Sequence, residues 1–169
     1  MQRAIRKTSI EIKNVPKKNH ETKEDLVNMV LCLSKITNTK IQTSDIKDIF
    51  RTQGKKDITK NTPIVVELGS TLTKTDLLKN CKSFNIKNKD KLQAKHLGLT
   101  SSENTPIYVS EQLTAKGARL HFLARDLIKS KSFKFCWTSY GRVYVRRDEG
   151  SPVITIKNEA QVHHLMQGA

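Results

Sequence analysis

The order of period-two and period-3.6 segments over residues 9–110 is the strongest constraint this sequence places on its fold. Ser9-Ile-Glu-Ile-Lys-Asn-Val15 alternates apolar and polar residues and is closed by Pro16, a strand followed by a stop. Thr22, with Asp25 three residues on, makes a capping-box pattern ahead of Leu26, Val27, Val30, Leu31, Leu33 and Ile36, which share one face of a helix. Ile46, Ile49 and Phe50 predict a helical turn leading into a strand over Asp45–Arg51. Pro63-Ile-Val-Val-Glu-Leu68 is the clearest strand. A second helix, begun by Thr73, carries Leu72, Leu77, Leu78 and Cys81 with Lys74, Lys79 and Lys82 interspersed, and Asn85–Leu97 reads as its end and a lysine-rich loop. Pro106-Ile-Tyr-Val-Ser110 is a last short strand. Strand, helix, strand, strand, helix, strand is the ferredoxin-like βαββαβ arrangement of an α+β fold, an antiparallel sheet with both helices on one face and the other face left free.

Residues 111–169 read as a separate small α+β unit, after a first domain over 1–110. Thr114 caps a helix running to about Ser130, with Leu120, Leu123, Ala124, Leu127 and Ile128 as its apolar stripe and Arg119, Arg125 and Lys129 outside it. A hairpin follows. Phe133, Phe135 and Trp137 alternate as neighbours on one strand face should, Ser139-Tyr140-Gly141 supplies a turn, and Val143 and Val145 resume the alternation. Val153-Ile-Thr-Ile-Lys157 is a further short strand, and Asn158 with Gln161 caps a terminal helix.

The formal net charge is +15 on 169 residues. Such an excess attracts polyanions, nucleic acid first among them. It is spread out: residues 1–110 carry 21 Lys/Arg against 11 Asp/Glu, and residues 111–169 carry 10 against 5. Met1–Lys7 has no apolar run of signal-peptide length, and no membrane-spanning stretch is read anywhere. Cys32, Cys81 and Cys136 are odd in number and widely spaced, so neither a disulfide framework nor a zinc site is expected, and Cys32 and Cys136 read as buried thiols. An intracellular protein of the nucleus or cytoplasm, not secreted and without a membrane partner, is the expectation.

The hairpin carries the chemistry. Aromatics interleaved with cations suit stacking on unpaired bases while neutralising phosphates. Arg142, Arg146 and Arg147 rank first, because a planar guanidinium both clamps phosphate and stacks on bases. Alternation puts Arg142, Tyr144 and Arg146 on one side of their strand, and Lys131 and Lys134 extend the patch. Arg119 and Arg125 on the long helix complete it, while Lys55, Lys56 and Lys60 form a second patch in the loop Thr52–Lys60. Trp137 is placed with the core. Asp148 and Glu149 read as a turn paired with Arg146 or Arg147.

Ile107-Tyr-Val-Ser-Glu-Gln-Leu-Thr114, the Arg125-bearing helix and the run Phe133–Pro152 together resemble the C-terminal domain of the baculovirus few-polyhedra (FP) protein family. Ile10–Lys17 and Pro63–Leu68 resemble the divergent RNA-recognition-motif domain that precedes it. The pairing is similar to the RNA-binding protein of the first open reading frame of LINE-type retrotransposons. The resemblance implies binding of single-stranded RNA or DNA, RNA before DNA, with a chaperone-like action and no catalysis. The two central strands of the first sheet hold Glu11, Lys13, Val65 and Glu67 where a standard motif carries stacking aromatics, and no coiled-coil heptads precede Ile10.

No chemistry of an enzyme is read. His20, His96, His121, His163 and His164 fall in no zinc pattern, and neither a P-loop nor a GxSxG is present. No cofactor and no metal are expected. Two function classes remain: a sequence-tolerant single-strand binder, and a protein-interaction or assembly module, self-association included, in which the charge only steers encounter.

Overall fold

A computed structural model describes residues 7–53, 61–130 and 132–168. The chain divides into two units, Thr8–Gln112 and one that includes Leu113–Ala169. Each has its own apolar core.

The first unit runs β1 (Ser9–Lys13), α1 (Lys23–Ile36), β2 (Ile46–Arg51), β3 (Ile64–Leu68), α2 (Thr71–Lys87) and β4 (Tyr108–Glu111). Its antiparallel sheet has the order β2-β3-β1-β4, the ferredoxin-like topology the segment order predicts. Register sets the faces: Ile10 lies opposite Val66, and Ile12 opposite Ile64 on β3 and Val109 on β4. These residues, with Ile49 and Leu68, pack against Leu26, Val30 and Leu33 of α1 and Leu77 and Cys81 of α2. Both helices therefore cover one face. The Thr22 capping box forms as expected, with the Asp25 N–H donating to Thr22 Oγ1 at 3.2 Å and the Thr22 N–H donating to the Asp25 carboxylate at 2.9 Å.

Three expectations shift here. The helical turn before β2 is a short 3₁₀ segment, Thr43–Asp45, and the strand already begins at Ile46. Helix α2 is capped by Ser70, whose hydroxyl accepts from the Thr73 N–H at 3.1 Å; Thr73 is inside the helix and Leu72 points to solvent, 76% exposed. The lysine-rich segment after α2 is partly ordered into a 3₁₀ turn, Ala94–Leu97, that buries Leu92, Ala94 and Leu97.

Arg51, at the end of β2, is buried and fully engaged. Its Nε and Nη2 grip the Glu21 carboxylate at 2.7 and 2.8 Å, and its Nη1 donates to the carbonyls of Val15 and Thr62, each at 2.7 Å. A buried guanidinium is tolerated only when its donors are satisfied in this way. A second buried pair, Lys74 of α2 and Glu111 of β4 at 3.9 Å, joins helix to sheet. Burial lowers the Lys74 pKa, and the Glu111 charge works against that shift.

The second unit runs α3 (Ala115–Lys129), β5 (Phe135–Ser139), β6 (Arg142–Arg146), β7 (Ile154–Ile156) and α4 (Glu159–Gln167), with sheet order β5-β6-β7. Thr114 and Asn158 cap the two helices, accepting from Gly117 and Gln161. Tyr140 and Gly141, at φ 51° and 78°, form a two-residue hairpin turn between the paired Ser139 and Arg142. Positive φ at both positions matches the right-handed twist of the strands, and it suits glycine at the second. Leu120, Ala124 and Leu127 of α3 and Val162 of α4 pack on Val143, Val145 and Ile156. The helices thus cover one face of this sheet as well. All three cysteines are free thiols; Cys81 is buried, while Cys32 and Cys136 are half-buried, contrary to the expectation for those two.

Candidate nucleic-acid interface

Alternation along β5 and β6 sends Cys136, Val143 and Val145 to the helix-covered core and the residues between them to the open face. There the cross-strand pairs are Phe135 with Arg146, Trp137 with Tyr144, and Ser139 with Arg142. Thr155 of β7 lies opposite Tyr144 on its other side. The Trp137 and Tyr144 rings are stacked, with centroids 5.6 Å apart and planes inclined by 21°. Trp137 remains 37% exposed. Lys134 Nζ lies 5.4 Å from the centre of the Phe135 ring. One face therefore presents three aromatic rings with cations along one strand and at one end.

Trp137 belongs to this face and not to the core, which corrects its placement from sequence. Its parity with Tyr144 across the hairpin was the signal that could have found it. Phe133 moves the other way. It precedes β5, its N–H donates to the Leu127 carbonyl at 3.2 Å, and the side chain is buried in the core, so it does not share a face with Phe135 and Trp137.

The arginines differ in how committed they are. Arg142 is exposed beside the turn, and its side chain has no hydrogen-bond or ion-pair partner among the described residues. Arg146 donates through Nε to the Ser151 carbonyl at 2.7 Å and through Nη2 to the Glu149 carbonyl, so it holds the turn after β6. The Arg147 guanidinium lies over the Phe133 ring, 4.7 Å from its centre. Glu149 pairs with Lys134 and not with an arginine. The Asp148 carboxylate instead accepts from the Ser151 hydroxyl at 2.8 Å and the Gly150 N–H at 2.9 Å, which hold its pKa below the usual carboxylate value.

Arg119 and Arg125 are not part of the open face. Both sit on α3, which covers the opposite side of the sheet; Arg119 pairs with Glu159 at 3.1 Å, and Arg125 lies 6.0 Å from the Phe122 ring. Lys55, Lys56, Lys60 and Lys131 lie outside the described residues. The structure thus brings together Arg142, Tyr144, Arg146 and Lys134 with Phe135 and Trp137.

Chemistry of other kinds finds few parts. Among the described residues no group of three or more His, Cys, Asp or Glu is placed to hold a metal ion, and no helix is long and apolar enough to cross a membrane. Burial pushes the Cys81 thiol up to about 12 and raises that of Cys136, so neither is a ready nucleophile at neutral pH.

A small helix-backed sheet with an open, aromatic and cationic face is the kind of module the second unit is. Residues 114–166 match the family described as Baculovirus FP protein domain 2, the family that the hairpin motif resembles. Among solved structures, the RRM3 domain of Mip6 is similar over 64% of this chain and 96% of its own, at 16% identity and a TM-score of 0.34. The strand order and helix placement of the first unit stand without that distant likeness. No curated protein matches the chain.

Proposed function

We propose that this protein binds single-stranded nucleic acid, RNA before DNA, largely without regard to sequence and without catalysis. The observation that carries this reading is the Trp137–Tyr144 stack on the open face of β5–β7, with Arg142 free beside it. A stacked, partly exposed aromatic pair accepts any base, because every base has a π-face, while the neighbouring cation takes the phosphate. Duplex DNA offers no unstacked base to such a platform. The overall charge of +15 raises the local concentration of polyanion and the rate of encounter.

Fluorescence anisotropy with labelled single-stranded RNA, single-stranded DNA and duplex, across a salt series, tests it. Single strands bind more tightly than duplex, RNA at least as tightly as DNA, and affinity falls steeply with salt. Trp137→Ala, with its fold checked by circular dichroism, weakens single-strand binding by about tenfold or more, the worth of one base stack. Equal affinity for all three nucleic acids, unmoved by Trp137→Ala, would remove the stacking platform and direct attention to a protein partner.

A further inference from the structure

The strongest unassigned feature lies on the first unit, away from its sheet face. Lys79, Lys82 and Lys87 stand on the exposed side of α2, and Lys89, Lys91 and Lys95 follow in the segment beyond it. Two contacts fold that segment back on the helix end. Asn85 Oδ1 accepts from the Leu92 N–H at 2.8 Å, and the His96 ring sits edge-on to Phe84 with centroids 5.1 Å apart. Lys79 and Lys87 are about 12 Å apart along the helix at 1.5 Å per residue.

None of the six has a carboxylate within 4 Å among the described residues, although ion pairs form elsewhere on the same unit at Lys18, Lys23 and Arg51. Only Asp76 and Asp90 lie near them in sequence. The helix dipole accounts for a cation in the last turn, Lys87, but not for the other five. Lysines without counterions along a helix and the segment that follows it favour any bound polyanion. The sheet face of the same unit lacks such a run of unpaired cations, since Glu67 and an ion pair of Glu11 with Lys13 stand on its central strands.

We infer that the end of α2 and the segment to Lys95 form a second nucleic-acid contact, one that grips the phosphate backbone of a single strand and reads no base. This rests on the nucleic-acid reading above and extends it to a different surface. Lysines without exposed rings between them supply charge neutralisation and no stacking, so the contact is blind to sequence.

The test uses the full chain. Lys87→Ala, Lys89→Ala and Lys91→Ala are combined in one variant, and Lys13→Ala, Lys18→Ala and Lys23→Ala, three lysines that already face carboxylates, in a control of equal net charge. The probes are labelled poly(U), poly(A) and vesicles containing phosphatidylserine. The first variant weakens binding to both homopolymers to the same extent, and its log–log salt slope is shallower by about 2, three contacts at about 0.7 each. The control changes the slope by less than half as much.

Equal changes in the two variants would overturn the inference, leaving only general charge. So would an unchanged slope in a variant that still loses affinity on adding Trp137→Ala; that outcome spares the proposed function. Loss with the lysine variant but not with Trp137→Ala upholds this site and removes the sheet-face platform. Vesicle binding as tight as homopolymer binding, and equally weakened, would overturn it in favour of a membrane surface.

Discussion

Both units are sheets with helices on one face, yet their open faces are chemically opposite. On β1 and β3 the open face carries Glu67 and an ion pair between Glu11 and Lys13 at 3.9 Å, with the exposed rings of Phe50 and Tyr108 on the outer strands β2 and β4. On β5 and β6 it carries Phe135, Trp137 and Tyr144 with Arg142 and Arg146. Topology alone provides a free face in each case. The sign of the charge at its centre and the adjacency of its rings decide what it can accept. Two rings on a neighbouring strand pair can stack on each other and on a base, whereas rings at opposite edges with carboxylates between them repel the phosphate that would bring a base to them.

That contrast can be broken most forcibly at its scaffold. Arg51→Met leaves the Glu21 carboxylate buried and takes the guanidinium donors from the carbonyls of Val15, Pro16 and Thr62. It should cost about 3–5 kcal/mol, the usual loss on breaking a buried pair. Hydrogen exchange should quicken across β1–β4 and stay slow across β5–β7; equal quickening in both sheets would count against two separate cores.

Next in size, Tyr144→Ala should weaken single-strand binding by about 1–3 kcal/mol, while Phe50→Ala and Tyr108→Ala leave it within about 0.5 kcal/mol. Anisotropy titrations of the three variants side by side decide it, and a loss at Phe50 as large as at Tyr144 would erase the contrast. A smaller gain sharpens it. Glu11→Gln with Glu67→Gln should tighten binding about two- to fivefold at low salt and not at high salt, since screening removes long-range repulsion.

The smallest effect concerns pH. His96 accepts the Gln93 N–H at its Nδ1, 2.9 Å away, and burial, with Lys95 adding to it, lowers its pKa. A base whose folded pKa is depressed binds fewer protons folded than unfolded, so its contribution is complete above the unfolded value near 6.5 and is lost as pH falls through the lower folded value. Urea midpoints should decline slightly from pH 7 to pH 5, and His96→Gln should flatten that decline. Equal slopes in the two proteins would exclude His96 as the source.

Much of the fold was legible because local chemistry and global packing agree. The capping patterns at Thr22, Thr114 and Asn158, the alternation of Ile10 and Ile12, and the Tyr140-Gly141 turn are written in adjacent residues, and the elements form where those signals stand. The site was legible only in part. Strand parity placed Arg142, Tyr144 and Arg146 together. It misplaced Phe133, because the strand begins two residues later and a bond to the end of α3 turns that ring inward. Trp137 reads as core by its residue type, and only its cross-strand partner reveals that it faces outward. That Arg146 is occupied by two turn carbonyls leaves no trace in sequence, since every residue has a carbonyl. The pairing of Lys74 with Glu111 spans too many residues for any local pattern to carry it.

Arg51 also ties together the facing ends of β2 and β3. The Thr52 N–H donates to the Pro63 carbonyl at 2.9 Å, and Arg51 holds the Thr62 carbonyl, so the strand ends are closed against each other by bonds of their own. Joining two such ends by a longer chain costs only about 0.6 kcal/mol per doubling of its length. The register of β2 on β3 therefore depends on the bonds of Arg51 and Thr52 far more than on the length of chain that joins the two strands.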